Sequence, residues 1–171
     1  MNKKLSIGKT ESTALGLIFV AVSENGLVAV SLEDKMQAFS QEIQDRFGAE
    51  VVRDETSTKA VSRQIADYLS GERENFDTPI DWSIMTSFQE KVLRATFEIP
   101  RGEVRTYGEV AAQIGKPGAA QAVGRAEATN PMPIVIPCHR VVAADGSLHG
   151  YSARGGLETK AWLLKLEGFA P

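Results

Sequence analysis

Short apolar runs alternate with polar stretches along the chain, and their spacing predicts its elements. From Thr13 to Leu32 two apolar runs flank Asn25-Gly26. That dipeptide suits the two positive-φ positions of a tight turn, which predicts a β-hairpin. Met36, Phe39, Ile43 and Phe47 then recur at helical spacing, with Gly48 placed to stop the helix in the left-handed conformation. A second helix is expected from Ser57 to Leu69, with Val61, Ile65, Tyr68 and Leu69 inward and Gly71 as its stop. Asn75 to Trp82, holding Thr78-Pro79, reads as a connector.

Beyond it the pattern turns to short helices. Thr86-Ser87 can cap a helix through Phe88, Val92, Leu93 and Phe97, which ends before Pro100 because the residue preceding a proline avoids the α region. Thr106 and Glu109 form a capping box ahead of Val110, Ala111 and Ile114. Gly115 stops that helix, and Pro117 stands at the first position of the next, Gly118 to Thr129. Helix, short break, helix is the pattern of a helix-turn-helix. The second of these helices carries Ala119, Ala120, Ala122, Gly124, Ala126 and Ala128. So little bulk suits either tight packing in the core or close approach of another molecule to the helix backbone. Met132 to Pro137 follows as a short, β-rich apolar run.

With 171 residues, 43% of them apolar and 24% charged, the chain can bury one good core or two small ones. The longest apolar run, Leu15 to Val22, is far too short to cross a bilayer. The net charge of −3 argues against coating nucleic acid by bulk electrostatics. The charge is uneven, however. Residues 1–82 carry 9 basic and 14 acidic side chains, residues 83–171 carry 10 and 8, so the second half is the one suited to face a polyanion. The single cysteine excludes an internal disulfide and a thiolate-rich zinc site, and it suits a reducing compartment.

That cysteine lies in Cys138-His139-Arg140-Val141. A thiol attacks as thiolate and needs a base or a positive charge to lower its pKa from about 8.5. His139, Arg140 and an acid to orient the imidazole would meet the need. Neighbours on a regular strand point to opposite faces, so the pair cooperates only if the chain turns at Pro137-Cys138. The alternative is a small buried hydrophobe after an apolar strand.

Ile136-Pro137-Cys138-His139-Arg140-Val141, preceded by Asn130-Pro131 and the Ala/Gly helix, resembles the O6-alkylguanine-DNA alkyltransferase family. The likeness runs from about Phe88 to Gly168. It takes in Phe88-Gln89, Ile99-Pro100, Gly102-Glu103, Thr106-Tyr107-Gly108, Ala122-Val123-Gly124, Asp145-Gly146, Gly150-Tyr151 and Lys160 to Glu167. The resemblance implies single-turnover transfer of a methyl or small alkyl group from O6 of guanine, with O4 of thymine as a further acceptor site of damage, to Cys138. His139 would be the base, acting through a water and oriented by Glu167. Tyr107 would turn the target nucleotide out of the duplex and protonate the departing guanine, and Asn130 would brace the turn before the active-site strand. The carbonyls of Cys138 and Val141 would accept from the guanine amino group, while Tyr151 and Ser152 would wall the pocket and bond O6. Ala120, Ala122 and Gly124 would let the recognition helix enter a minor groove only ~6 Å wide, with Thr106, Lys116, Gln121 and Arg125 completing the DNA contacts.

The implied fold is an N-terminal α/β domain over 1–82, ribonuclease-H-like with a small antiparallel sheet, and a C-terminal winged helix-turn-helix domain over 83–171. The implied protein is a cytoplasmic monomer, nuclear in a eukaryote, whose partner is double-stranded DNA holding alkylated guanine. No cofactor, metal or membrane is expected. The sequence departs from the family pattern at Gln121, where an arginine usually fills the gap left by the extruded base, and at Leu93, where a tryptophan is common. It also has a longer loop at Ser152-Ala153-Arg154-Gly155-Gly156. Two other readings compete: a DNA-binding sensor of alkylated bases, which usually lacks this cysteine, and a thiol hydrolase, which explains neither the bare helix nor the helix-turn-helix.

Overall fold

Four strands, β1 (Lys4–Lys9), β2 (Phe19–Ser23), β3 (Gly26–Ser31) and β4 (Glu50–Arg53), form a sheet in the order β3-β2-β1-β4. The structure, a computed structural model, describes residues 3–169. The predicted hairpin joins β2 to β3, but its turn lies one residue earlier than expected. Ser23 pairs with Gly26, so Glu24-Asn25 occupy the centre. Of the Asn25-Gly26 pair only Gly26 has a positive φ, 136°. Glycine is required there for a second reason: a Cβ would stand 2.5 Å from the Pro79 carbonyl oxygen, which accepts from the Leu27 amide at 2.8 Å.

The sheet is mixed rather than purely antiparallel. After β3 the chain passes through helix α1 (Met36–Phe47) and returns as β4, which runs parallel to β1. A parallel neighbour needs such a crossover, whereas a hairpin imposes the opposite direction. Phe39 and Ile43 of α1 pack on Leu5, Ile7, Phe19 and Ala21, and Gly48 ends the helix at φ 56°. Helix α2 (Glu55–Leu69) begins two residues before the expected Ser57, because Asp54 accepts from the amides of Thr56 and Ser57 and so caps it. It covers the other face of β1, where a Cβ on Gly8 would collide with the Thr58 hydroxyl at 2.0 Å. These elements form one compact unit, Met1–Ile84.

The second unit, Met85–Pro171, is mainly helical. Helix α3 (Ser87–Phe97) is capped by Thr86, as its sequence predicts. Strand β5 (Arg105–Thr106) runs into α4 (Tyr107–Gln113), whose capping box forms in both directions between Thr106 and Glu109. Helix α5 (Ala120–Ala128) starts later than expected. Pro117 lies in the preceding turn rather than at the first helical position, and Ala119 gives no side-chain cap. Strand β6 (Val141–Val142) pairs parallel with β5, and α6 (Gly156–Leu166) closes the unit. Val92, Val110, Val123 and Val141, none with any exposed surface, join α3, α4, α5 and β6 in one core.

Met132 to Pro137 is not a strand. It is a buried series of turns in which Ile134, the one non-glycine residue with positive φ among those described, sits at 75°. An apolar run reads alike as a buried strand and as a buried turn, which is why periodicity misassigned it.

Candidate active site around Cys138

The chain reaches Cys138 through a bracket made by one side chain. Asn130 donates from Nδ2 to the Ile136 carbonyl at 2.9 Å and accepts at Oδ1 from the Met132 amide at 3.0 Å. The Ile136 amide in turn bonds the Met132 carbonyl at 2.9 Å. A β-branched residue at positive φ costs on the order of 1–3 kcal/mol and persists only where its surroundings impose it. The Asn130 bracket does so for Ile134. Pro137, at ψ 62°, then turns the chain into a single 3-10 turn, Cys138–Arg140, closed by a bond from the Val141 amide to the Cys138 carbonyl. With three residues per turn, successive side chains are about 120° apart rather than opposed. This supplies the bend that cooperation between Cys138 and His139 requires.

Behind the turn lies a buried ionic group. His139 has no exposed surface, and its Nε2 is 2.7 Å from Oε1 of Glu167, just beyond the last turn of α6. Arg140 grips the same carboxylate, Nε to Oε2 at 2.9 Å and Nη2 to Oε1 at 2.8 Å, and donates from Nη1 to the Ile99 carbonyl at 2.6 Å. A carboxylate so paired is ionised, so the His139 nitrogen facing it carries the hydrogen and Nδ1 is left as the lone-pair nitrogen. Nδ1 is buried with no protein partner among the described residues. Burial holds the imidazole pKa below its ordinary value, and Glu167 acts against that. His139 is therefore a neutral imidazole able to accept a proton, and Glu167 is its buried counter-charge.

The thiol itself is 6% exposed. Burial, and then the nearby Glu127 carboxyl, push its pKa up to about 12, while a hydrogen bond with Asn130 and the charge of Lys160 pull the other way. Tyr107 opens α4, and its hydroxyl donates to the His149 carbonyl at 3.1 Å. Burial first, then Glu127 and Cys138, raise its pKa to about 12 as well. Lys160 is 1% exposed and donates to the Val141 carbonyl at 2.7 Å and to the His149 carbonyl at 2.6 Å.

Two of these participants, and the contact made by a third, were not singled out from the sequence. Glu127 and Lys160 carried readable signals: Glu127 lies one helical turn beyond buried Val123, and Lys160 one turn before buried Leu163 and Leu164. Arg140 is expected near the thiol as a positive charge, but its grip on Glu167 had no local signal, because that partner is remote in sequence. His149 takes part through its backbone carbonyl, which accepts from both Tyr107 and Lys160.

The remaining expected residues fall in two groups. Val141 and Tyr151 are buried beside the cysteine turn and in the segment before α6. Ser152, in contrast, donates its hydroxyl to the Ala128 carbonyl at 2.6 Å, at the end of α5. Gln121, Arg125 and Lys116 are exposed, and the ammonium of Lys116 lies 5.9 Å from the centre of the Phe88 ring. Ala120, Ala122 and Gly124 are half-buried, and Thr106 is engaged in the capping box. A Cβ on Gly124 would stand 3.9 Å from the Tyr107 ring, an ordinary contact, so that ring does not itself require a glycine at this position. Leu93 is fully buried. Among the described residues no group of His, Cys, Asp and Glu side chains is arranged to hold a metal ion, and no helix is long and apolar enough to cross a membrane.

Comparison with known proteins covers both units. Residues 8–82 match the ribonuclease-like domain, and residues 87–169 the DNA binding domain, of 6-O-methylguanine DNA methyltransferase. A methylated-DNA–protein-cysteine methyltransferase of Methanosarcina acetivorans is 42% identical over 90% of this chain and 93% of its own length. The inducible protein of that name from Bacillus subtilis is 40% identical over 87% of this chain and 83% of its own. The crystal structure of the Mycobacterium tuberculosis O6-methylguanine methyltransferase superposes with a TM-score of 0.76 at 36% identity, covering 96% of this chain and 95% of that one. A structure of the same organism's protein in complex with DNA gives 0.75 at 34% identity, covering 96% and 92%.

Proposed function

This chain belongs to the 6-O-methylguanine DNA methyltransferase family, and we propose that it repairs DNA by moving a methyl or small alkyl group from O6 of guanine onto Cys138. The observation that carries the assignment to this residue is the 3-10 turn at Cys138–Arg140, which follows the only thiol directly with a neutral imidazole held by a buried carboxylate.

With the thiol pKa near 12, forming the free thiolate at pH 7 costs about 7 kcal/mol. The resting species is therefore the thiol, and its proton leaves as the alkyl group arrives. It passes through a water to Nδ1 of His139, and the resulting imidazolium is stabilised by Glu167. Sulfur bonds the alkyl carbon as the bond from that carbon to O6 breaks. The departing guanine takes a proton from the Tyr107 hydroxyl. A thioether does not hydrolyse, so the protein is spent after one turnover.

The alkyl carbon lies inside a base stack, so the nucleotide has to be turned out, at a cost of a few kcal/mol. Tyr107 and the thin face of α5 at Ala120, Ala122 and Gly124 serve that step in the minor groove. Gln121 enters the duplex in place of the usual arginine, and Arg125 and Lys116 supply attraction to phosphates. The carbonyls of Cys138 and Val141 receive the guanine amino group. The Cys138 carbonyl accepts from the Val141 amide and the Val141 carbonyl from Lys160, so the base uses a second lone pair on each. Tyr151 and the Ser152 backbone line the pocket. Asn130 holds the loop. The protein acts as a monomer in the cytoplasm and draws on no cofactor.

Incubation with duplex DNA holding O6-methylguanine, followed by intact mass measurement, tests the reading. The expected result is a gain of one methyl, mapped to Cys138 and abolished in Cys138→Ser. Binding without a mass change would instead identify a sensor, and repeated turnover of an ester or peptide a hydrolase.

A further inference from the structure

Glu127 is a buried acid that the reaction as described does not use. It is 3% exposed and meets the Thr96 hydroxyl on α3, while Tyr107 on α4, Cys138 on the 3-10 turn and Lys160 on α6 lie within electrostatic reach of it. Its Oε1 contacts the Thr96 hydroxyl, while Oε2 is buried with no hydrogen-bond partner among the described residues.

That geometry bears on its protonation. Thr96 has one hydroxyl proton and two oxygens within reach, the Val92 carbonyl at 3.0 Å and Glu127 Oε1. A proton on Glu127 lets both contacts be made, with Thr96 donating to Val92 and accepting from the acid. Lys160 does not neutralise a carboxylate by direct contact, because its ammonium bonds the Val141 and His149 carbonyls and no ion pair with Glu127 forms among the described residues. An ionised carboxyl with one bare oxygen in a buried site is strongly disfavoured. Burial accordingly raises the Glu127 pKa to about 8, against smaller opposing effects of Thr96 and Lys160.

We propose that Glu127 works as a neutral carboxylic acid that gates the nucleophile: when it ionises, its charge opposes the developing Cys138 thiolate and slows alkyl acceptance. A like charge nearby raises an acid's pKa, and one unit corresponds to about tenfold, so an effect on rate of about tenfold is expected. The gate closes as pH rises. Within this family-level reading of Cys138 as acceptor, Glu127 is a positioning residue, acting on the sulfur through space without touching substrate.

The test compares wild type with Glu127→Gln, an amide of the same shape that can still donate to Thr96. Single-turnover methyl transfer is timed from pH 6 to 9.5. In parallel, infrared spectroscopy follows the carbonyl band of a protonated carboxylic acid. The expected result is a wild-type rate that falls relative to the variant, with a midpoint near pH 8, and by about tenfold at the alkaline end. An acid band present at pH 6, fading over the same range and missing from Glu127→Gln should accompany it. Equal alkaline behaviour of the two proteins, or no acid band in wild type at pH 6, overturns the proposal. If wild type transfers no methyl at any pH, the alkyl-transfer reading fails, and the infrared titration still decides the state of Glu127.

Discussion

At the residue scale, the site depends on two buried carboxyls in opposite states. Glu167 is charged because Arg140 and His139 surround it, and Glu127 is neutral because only a hydroxyl meets it. Removing one member of a buried ion pair costs about 3–5 kcal/mol, since the partner charge is stranded. Glu167→Ala is therefore expected to lower stability by that amount in denaturant unfolding. It should also slow methyl transfer by about a hundredfold or more, the contribution typical of a positioned base. Glu127 predicts a pH effect on stability as well. Its pKa rises from 4.5 in the unfolded chain to about 8 in the folded one, so the folded state holds the extra proton between those values. Stability is complete below about pH 4.5 and is lost as pH rises through about 8, by about 1.4 kcal/mol per unit. Glu127→Gln should melt higher than wild type at pH 8, with the gap closing towards pH 5; a constant gap in thermal melts would contradict this.

At the scale of elements, the decisive piece is an irregular one. Asn130, just after α5, holds the turns from Met132 to Pro137 with two bonds and keeps Ile134 in a conformation that it would otherwise leave. Asn130→Ala frees a buried amide and a buried carbonyl, each costing about 1–3 kcal/mol. The expected outcome is a loss of about 2–4 kcal/mol in unfolding measurements and a greater loss of transfer rate than of DNA affinity, because α5, the helix proposed to meet DNA, precedes the loop. Rate and affinity falling together would assign Asn130 to DNA binding instead. The capping box of α4 acts at the same scale: it fixes where the helix starts and so where Tyr107 projects, which explains why a stability motif and a site residue adjoin.

At the scale of the whole molecule, an overall charge of −3 repels DNA, and the exposed cations at α5 are few, Arg125 on it and Lys116 before it. Each phosphate neutralised contributes about −0.9 to the slope of log affinity against log salt. A slope near −2 is expected for this protein, so recognition relies on fit in the groove more than on charge. Gln121→Arg should tighten binding and steepen the slope by about 0.9 in fluorescence titrations across salt. An unchanged slope would show that this position does not reach the phosphate-lined groove.

The sequence alone determined the features that depend on neighbours a turn apart: the amphipathic α1 and α3, the Gly48 stop, the Thr86 cap, the Thr106–Glu109 box and the hairpin. Helical periods and caps are local, so residues a few positions apart suffice to specify them. The ordered motif around Cys138 added the family and, through it, the pairing of His139 with Glu167. The tertiary structure decided what depends on distant segments: β4 lying parallel to β1, the Met132–Pro137 run folding as turns, Arg140 reaching Glu167, and Glu127 coming within electrostatic reach of Cys138. Apolar runs do not declare their partners, and a charge on a helix does not announce what it will face. Those outcomes arise only when separate elements close around the same small volume and each buried polar group must find its bond there.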